Sequence, residues 1–390
     1  MPAGRCTARS VAPGCGVSRS TAARRTAGCS PGKEPDVPTD ASFTELPDLA
    51  SRHLGGSVVW ANDELFAERE NLIRPEAPTF SAESFGHKGK VYDGWETRRR
   101  REPGHDEAVV RLGAAGVVYG VVVDTAFFRG NYPPHVSVEA TSVEGYPSPE
   151  ELRQAGWETL VARTEARGDT ANLYPVADRR RWTHVRLSIY PDGGVARLRV
   201  HGEVLPDPRL LHGTVDLAAL ENGGTLLACS DAFYSSPVNL IAPGRARIMG
   251  EGWENARRRG PGNDFATFRL VAAGELARVE VDTSYFVGNA PGWVKVSAAD
   301  EAKGDLDDPA SWWDAVPRTR VQPDTRHHYL VHDTRPATHV RLDVYPDGGL
   351  TRLRVHGTIT PDAHAALARR WWAALPAPHR AAIPDQEPSS

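Results

Sequence analysis

Cysteine is nearly absent from most of this 390-residue chain. Of its four cysteines, Cys6, Cys15 and Cys29 fall in the first thirty residues and only Cys229 lies beyond. A disulfide-stapled scaffold is thereby excluded, and a reducing cytoplasm fits. Long hydrophobic runs are missing too; none reaches the ~20 residues of a membrane span. A formal net charge of -4 lacks the basic footprint of a nucleic-acid or membrane-surface binder. No CxxC pair, glycine-rich phosphate loop or GxSxG elbow occurs, so nucleotide chemistry and serine hydrolysis lose ground. Lysine is scarce beside arginine, a compositional bias that discounts any arginine cluster.

What the chain has is an internal echo. Residues 1–40 are rich in Arg, Ser, Gly and Pro and lack the apolar core of a secretory signal. Their shortage of acids resembles a transit peptide, but prolines and glycines spoil an amphipathic helix, so a disordered extension is expected. Past residue 40 the sequence is written twice. "YDGWETRRRREPGHD" returns as "MGEGWENARRRGPGND", and "VVVDTAFFRGN" as "VEVDTSYFVGN". "THVRLSIYPDGGVARLRVHGEV" returns as "THVRLDVYPDGGLTRLRVHGTI", and "NDELFAERENLI" more weakly as "SDAFYSSPVNLI". Four blocks in one order mark a duplicated domain, at 41–203 and 204–360, followed by a tail at 361–390.

Within each copy, "AVVRLG", "VYGVVVDTAFF", "HVSVEA", "HVRLSIY" and "VARLRVHG" read as short strands broken by Gly, Pro, Asn and Asp. "YPDGG" between alternating runs reads as a hairpin turn. "SPEELRQAGW" gives one short helix, capped by Ser148 with Glu151 three residues on, and "DAHAALARRWWAAL" gives another. The expected fold is all-β: two tandem jelly-roll-type β-sandwich domains with few short helices. Ligands of such sandwiches meet loops at one end of the sheets.

The repeated blocks supply candidate site residues. Arginine's planar fork matches a carboxylate with two parallel bonds. The arginines at 98–101 and 257–259 therefore read either as an anion clamp or as a solvated edge paired with Glu102, Asp106 and Asp264. Glu96 and Glu254 would orient a guanidinium or move protons. Asp124 and Asp282, each at a strand end before Thr, satisfy loop amides or serve as general bases. Asn131 and Asn289 read as turn formers first and ligand contacts second, and Asp63 and Asp231 as structural or catalytic. The histidines at 184 and 339, and at 201 and 356, lie in strand patterns where a satisfied sheet histidine is expected. His327, His328 and His332 lack counterparts in the first copy. No cofactor is indicated by these patterns; a divalent metal is left open.

Together these blocks resemble allantoicase. The resemblance rests on "DGWETRRRREPGHD", "VDTAFFRGNYP", "THVRLSIYPDGGVARLRVHG", their second copies and "SDAFYSSPVNLI", and spans most of 40–360. It implies a tandem pair of jelly rolls and hydrolysis of allantoate to ureidoglycolate and urea. Two departures stand out: Glu107 replaces the aromatic that usually follows "GHD", and Ala256 stands where the first copy has Arg98. On this reading Glu96 or Glu254 is the acid that helps the departing nitrogen, and Asp124 or Asp282 activates water. Arg98, Arg99, Arg257 and Arg258, with Asn131 and Asn289, bind substrate. The partner is a small molecule, allantoate, with neither nucleic acid nor membrane. Homo-oligomerisation is left open, since Trp371 and Trp372 either cap their own domain or bury against another subunit. The rival readings are a non-enzymatic tandem module for a sugar or small anion, and a ureidoglycolate lyase.

Overall fold

The computed structural model describes residues 41–388, apart from positions 82, 84, 87, 88 and 91. The extension expected over 1–40 lies outside the described residues. Besides a short ribbon formed by Phe85–Gly86 and Gly89–Lys90, the first repeat holds β1 (Ser57–Ala61), β2 (Trp95–Glu96), β3 (Asp106–Asp124), β4 (His135–Thr141) and β5 (Glu158–Glu165). There follow β6 (Ala171–Pro175), β7 (Arg181–Tyr190), β8 (Gly194–Val195) and β9 (Arg197–Val204). The second repeat holds β10 (Thr214–Asp216), β11 (Thr225–Cys229), β12 (Asp264–Asp282) and β13 (Trp293–Ala299). It ends with β14 (Trp313–Arg320), β15 (Arg326–Leu330), β16 (Pro336–Tyr345) and β17 (Arg352–Ile359).

Two runs that read as separate strands, "AVVRLG" and "VYGVVVDTAFF", are one 19-residue strand, β3. The Gly-Ala-Ala-Gly at 113–116 bends it instead of ending it, and the pairing register shifts between Arg111 and Gly116. The first half of β3 lies between β1 and β7, while the second half lies between β9 and β6. One long strand thus serves both layers of the sandwich, with β4 and β5 extending the first layer beyond β7. β12 does the same in the second repeat, between β11 and β16 and then between β17 and β15.

The "YPDGG" segments do not close hairpins. β7 and β9 pair with opposite edges of β3, so the segment crosses between layers, through β8, instead of joining neighbours. Its Asp192 carboxylate takes the Arg100 N–H at 2.7 Å, and Asp347 takes the Arg258 N–H at 2.6 Å. The turn is therefore used to hold the arginine-rich strap, which its local chemistry does not announce.

Each repeat has its own apolar core, centred on Trp95, Val110, Val121 and Leu187 in one and on Trp253, Phe268, Val279 and Leu342 in the other. The helix α1 (Pro149–Gln154) carries the expected capping box: Glu151 N–H donates to Ser148 Oγ, and Ser148 N–H to Glu151 Oε2. Two further helices follow the second repeat, α2 (Pro361–Ala374) and α3 (Ala377–Ala382). Trp371 is buried in the second core, so α2 caps its own chain. His379 on α3 reaches back to the first repeat, bonding Ser142 Oγ at 2.6 Å and Glu144 Oε2 at 2.8 Å. Among the described residues no helix is long and apolar enough to cross a membrane.

His184 and His339 are sheet histidines, each with Nδ1 against the hydroxyl of the preceding threonine, Thr183 or Thr338. Burial pushes His184 down to about 4, so the folded protein holds it neutral where an unfolded chain would protonate it. Stability from this group is present above pH ~6.5 and is lost as pH falls towards 4. The midpoint of urea unfolding is expected to drop across that window, and His184→Gln should flatten the drop; equal slopes in both proteins would refute it.

Candidate active site

The strap at 94–106 is fixed at its start by Trp95, whose indole N–H donates to Asp63 O at 2.7 Å. Gly94 and Gly194 both lie against the Phe128 ring, where a Cβ would overlap it. The close approach brings β2 onto β8 and leaves Glu96 opposite Gly194. The main chain of Glu96 is locked to Ala67 by bonds of 3.2 and 3.3 Å. Its carboxylate, half-buried, accepts one hydrogen bond from Asn131 Nδ2 at 2.7 Å. Burial raises Glu96 above the usual carboxylate range and the Asn131 bond only partly offsets it. The second copy repeats the arrangement: Asn289 Nδ2 donates to Glu254 Oε1 at 2.7 Å, beside Met249 Sδ. Asn131 is more than a turn former, since its carbonyl also receives the Gly194 N–H at 2.7 Å.

The arginines divide by position. Arg98 bonds Asp63 through Nε at 2.5 Å and through its main-chain N–H at 2.9 Å. Arg100 is drawn inward to Asp106, a carboxylate only 1 % exposed, at 2.9 Å, where Asn62 also donates. Arg258 does the same for buried Asp264, which also receives Ser230 Oγ–H. Arg99, Arg101, Arg257 and Arg259 are exposed and make no ion pair among the described residues. Arg258 is therefore a correction. It matches Arg100, a structural strut, and not the pair Arg98 and Arg99 with which the sequence grouped it. Of the paired edge that the sequence offered as the alternative, the Asp106 and Asp264 bonds exist, but they are buried and not solvated. Asn62, Asp63 and residues 98–102, with Asp106, line an open cavity of about 630 Å³ in the first repeat.

Asp124 and Asp282 act locally. Each caps the backbone two residues on, at Ala126 N (2.8 Å) and Ser284 N (2.9 Å). These bonds hold the turns in which Phe127 and Tyr285 take left-handed φ of 68° and 69°. No hydrogen bond or ion pair joins Asp124 to Glu96, or Asp282 to Glu254, among the described residues. Asp282 instead lies 3.9 Å from Arg326, in a pocket on the sheet. His327 spends both ring nitrogens on backbone, at Gln322 N and Val281 O. Among the described residues no three His, Cys, Asp or Glu side chains are grouped as a metal ion requires.

Asn62, Asp192 and Asp347 escaped the sequence reading. Asn62 and Asp192 are polar residues in turn-like contexts, and only the packing of distant segments gives them their partners. The repeat of "YPDGG" was the available signal for both aspartates.

An acid held by an amide, beside unpaired arginines on the loops of a duplicated β-sandwich, defines an enzyme built to handle a small anion. The allantoicase repeat pattern matches residues 47–205 and again 215–360. The chain is 55% identical over 321 residues to a probable allantoicase of Nocardia farcinica, covering 81% of this chain and 95% of that one. It is 41% identical over 342 residues to the allantoicase of Dictyostelium discoideum, covering 85% and 91%. The crystal structure of allantoicase from Saccharomyces cerevisiae superposes with a TM-score of 0.70 at 35% identity, covering 82% of this chain and 97% of that chain. The chain belongs to the allantoicase family.

The two struts carry a stability prediction. Arg100→Met leaves Asp106 buried without its cation, a loss expected to cost about 3–5 kcal/mol. Arg99→Met, at an exposed side chain, should change stability by less than ~0.5 kcal/mol. Chemical denaturation of both variants checks the contrast.

Proposed function

We propose that this protein hydrolyses allantoate to ureidoglycolate and urea, in purine degradation, with the first repeat carrying the turnover. The observation that bears most weight is the Glu96–Asn131 pair: a half-buried carboxyl with a raised proton affinity, two and three residues from the arginines at 98 and 99. Allantoate is a carboxylate on a carbon bearing two ureido groups. Arg99, with no carboxylate of its own, takes the substrate carboxylate, each charge-assisted bond contributing roughly 1.5–3 kcal/mol. Asn131 spends an N–H on Glu96, so its oxygen is turned to accept a ureido N–H.

Glu96 then gives its proton to the departing ureido nitrogen. The lone pair of the remaining ureido nitrogen moves to the central carbon as the C–N bond breaks and urea leaves. Water adds to that carbon and returns a proton to Glu96, so one residue serves as acid and then as base. Asp124 and Asp282, committed to backbone amides, stay outside this scheme. Arg98 supports it by keeping Asp63 neutralised at the rim.

The second repeat keeps Glu254, Asn289 and Arg257 but has Ala256 where Arg98 stands. Among the described residues its Asp231 carboxylate takes hydrogen bonds from the Phe233 and Ala256 amides and makes no ion pair. We read it as the weaker site. The single body cysteine, Cys229, supports a cytoplasmic enzyme.

Purified protein is to be incubated with allantoate, with and without a chelator, while urea and ureidoglycolate are followed. One urea per ureidoglycolate, unchanged by chelation, is the expected result. Glu96→Gln should lower kcat by roughly 10²- to 10⁴-fold, while Glu254→Gln keeps most of the turnover. No product would favour the tandem binding module. Urea and glyoxylate from ureidoglycolate, with allantoate untouched, would favour the lyase. Near-native rates in Glu96→Gln would remove Glu96 from its role.

A further inference from the structure

The two repeats differ most on one outer sheet face. In the first repeat, Gly120, Val122 and Asp124 alternate along β3 and point the same way. The corresponding residues of β12 are Arg278, Glu280 and Asp282. The strand beside them changes in step: Ala171 pairs with Asp124, but Arg326 pairs with Asp282. In the first repeat Phe43 packs over Gly120. In the second, the charged face lines an open pocket of about 320 Å³.

At the pocket's inner wall lies Arg352, 3 % exposed. Its first-repeat counterpart, Arg197, is equally buried but neutralised by Asp93 at 2.9 Å. The residue matching Asp93 is Glu251, and its carboxylate is turned away, to Arg247 at 2.6 Å and His53 at 3.6 Å. Among the described residues Arg352, across the strands from Asp282, hydrogen-bonds only backbone carbonyls: Gly244 O on Nε, and Glu251 O and Thr351 O on one terminal nitrogen. Its other terminal nitrogen makes no hydrogen bond among the described residues. At the rim, exposed Arg278 has no ion-pair partner among the described residues either. Of the other charges lining the pocket, Arg326 is matched by Glu280 at 2.8 Å and Arg354 by Asp216 at 3.5 Å, while exposed Arg245 and half-buried Glu221 make no ion pair among the described residues. One buried guanidinium, Arg352, and two exposed ones, Arg278 and Arg245, therefore line the cavity without an ion pair among the described residues, beside acceptor oxygens of Glu221, Glu280 and Asp282.

We propose that this second-repeat pocket binds a small carboxylate bearing N–H donors, at a site separate from Glu96 and Asn131. Arg352 and Arg278 hold the carboxylate, and Glu280 and Asp282 accept the N–H groups. A buried guanidinium without its anion is costly, and the ligand supplies the anion that Asp93 supplies in the first repeat.

The test is calorimetric titration of the full chain with N-carbamoylglycine, which carries both groups. Arg352→Met should remove one binding phase, and Arg278→Ala should weaken that phase about ten- to a hundredfold. Arg278→Ala should leave kcat on allantoate unchanged, and Arg99→Ala should leave this phase intact. Should Arg352→Met fail to fold, the exposed Arg278→Ala decides alone. A phase indifferent to Arg278→Ala, or no such phase, overturns the site. Displacement by inorganic phosphate as readily as by N-carbamoylglycine overturns the ligand class.

Discussion

A guanidinium that loses water must be given oxygen acceptors, and most of this molecule's polar architecture follows from that demand. Arg100 and Arg258 are pulled under the strap by Asp106 and Asp264, the first residues of the two long strands. Arg197 and Arg352 are buried at the far end of the same strands, opposite Asp124 and Asp282. Each long strand is therefore held by an arginine near either end, half-buried at the start and buried at the far end. With Arg100 and Arg258 held in this way, Arg99, Arg101, Arg257 and Arg259 are exposed and make no ion pair among the described residues. A row of arginines that looks uniform in sequence is thus two sets with different duties.

Much of this was legible from the chain itself. The duplication, the strand-forming runs and the Ser148–Glu151 cap depend on local chemistry, and local chemistry is what a sequence displays. The differences come from partners that the sequence does not name, some distant and some only a turn away. Nothing near "YPDGG" says that its aspartate faces Arg100, 92 positions away, so a layer crossing looked like a hairpin. Asp124 looked free to act as a base because its bond to Ala126 is one outcome among several for an Asp-Thr pair. Arg258 was grouped with the clamp because nothing in a run of arginines marks which one is drawn inward to a buried carboxylate. The Glu–Asn pair was visible only as two repeated letters 35 positions apart.

Duplication has left a fold with two equivalent frames and unequal contents. The acid–amide pair survives in both copies at the same 2.7 Å, which shows how closely the frame itself is kept. What changed is what stands around it: Arg98 became Ala256, and three small or apolar sheet residues became charged. Buried Glu280 is tolerated because Arg326, changed in step with it, supplies two hydrogen bonds, and the ladder of backbone hydrogen bonds is untouched.

The last helices bear on how the molecule is made. Residues 361–382 are synthesised after both sandwiches, yet Trp371 completes the core of one and His379 is inserted between Ser142 and Glu144 of the other. Domains emerge and fold in order from the N-terminal side. The edge of the first repeat around Ser142 thus waits, open to water, through the whole synthesis of the second. The two repeats already meet without these helices, Val117 lying in the second core and Arg269 pairing with Glu203 at 3.4 Å, and the last helices add a clasp across them.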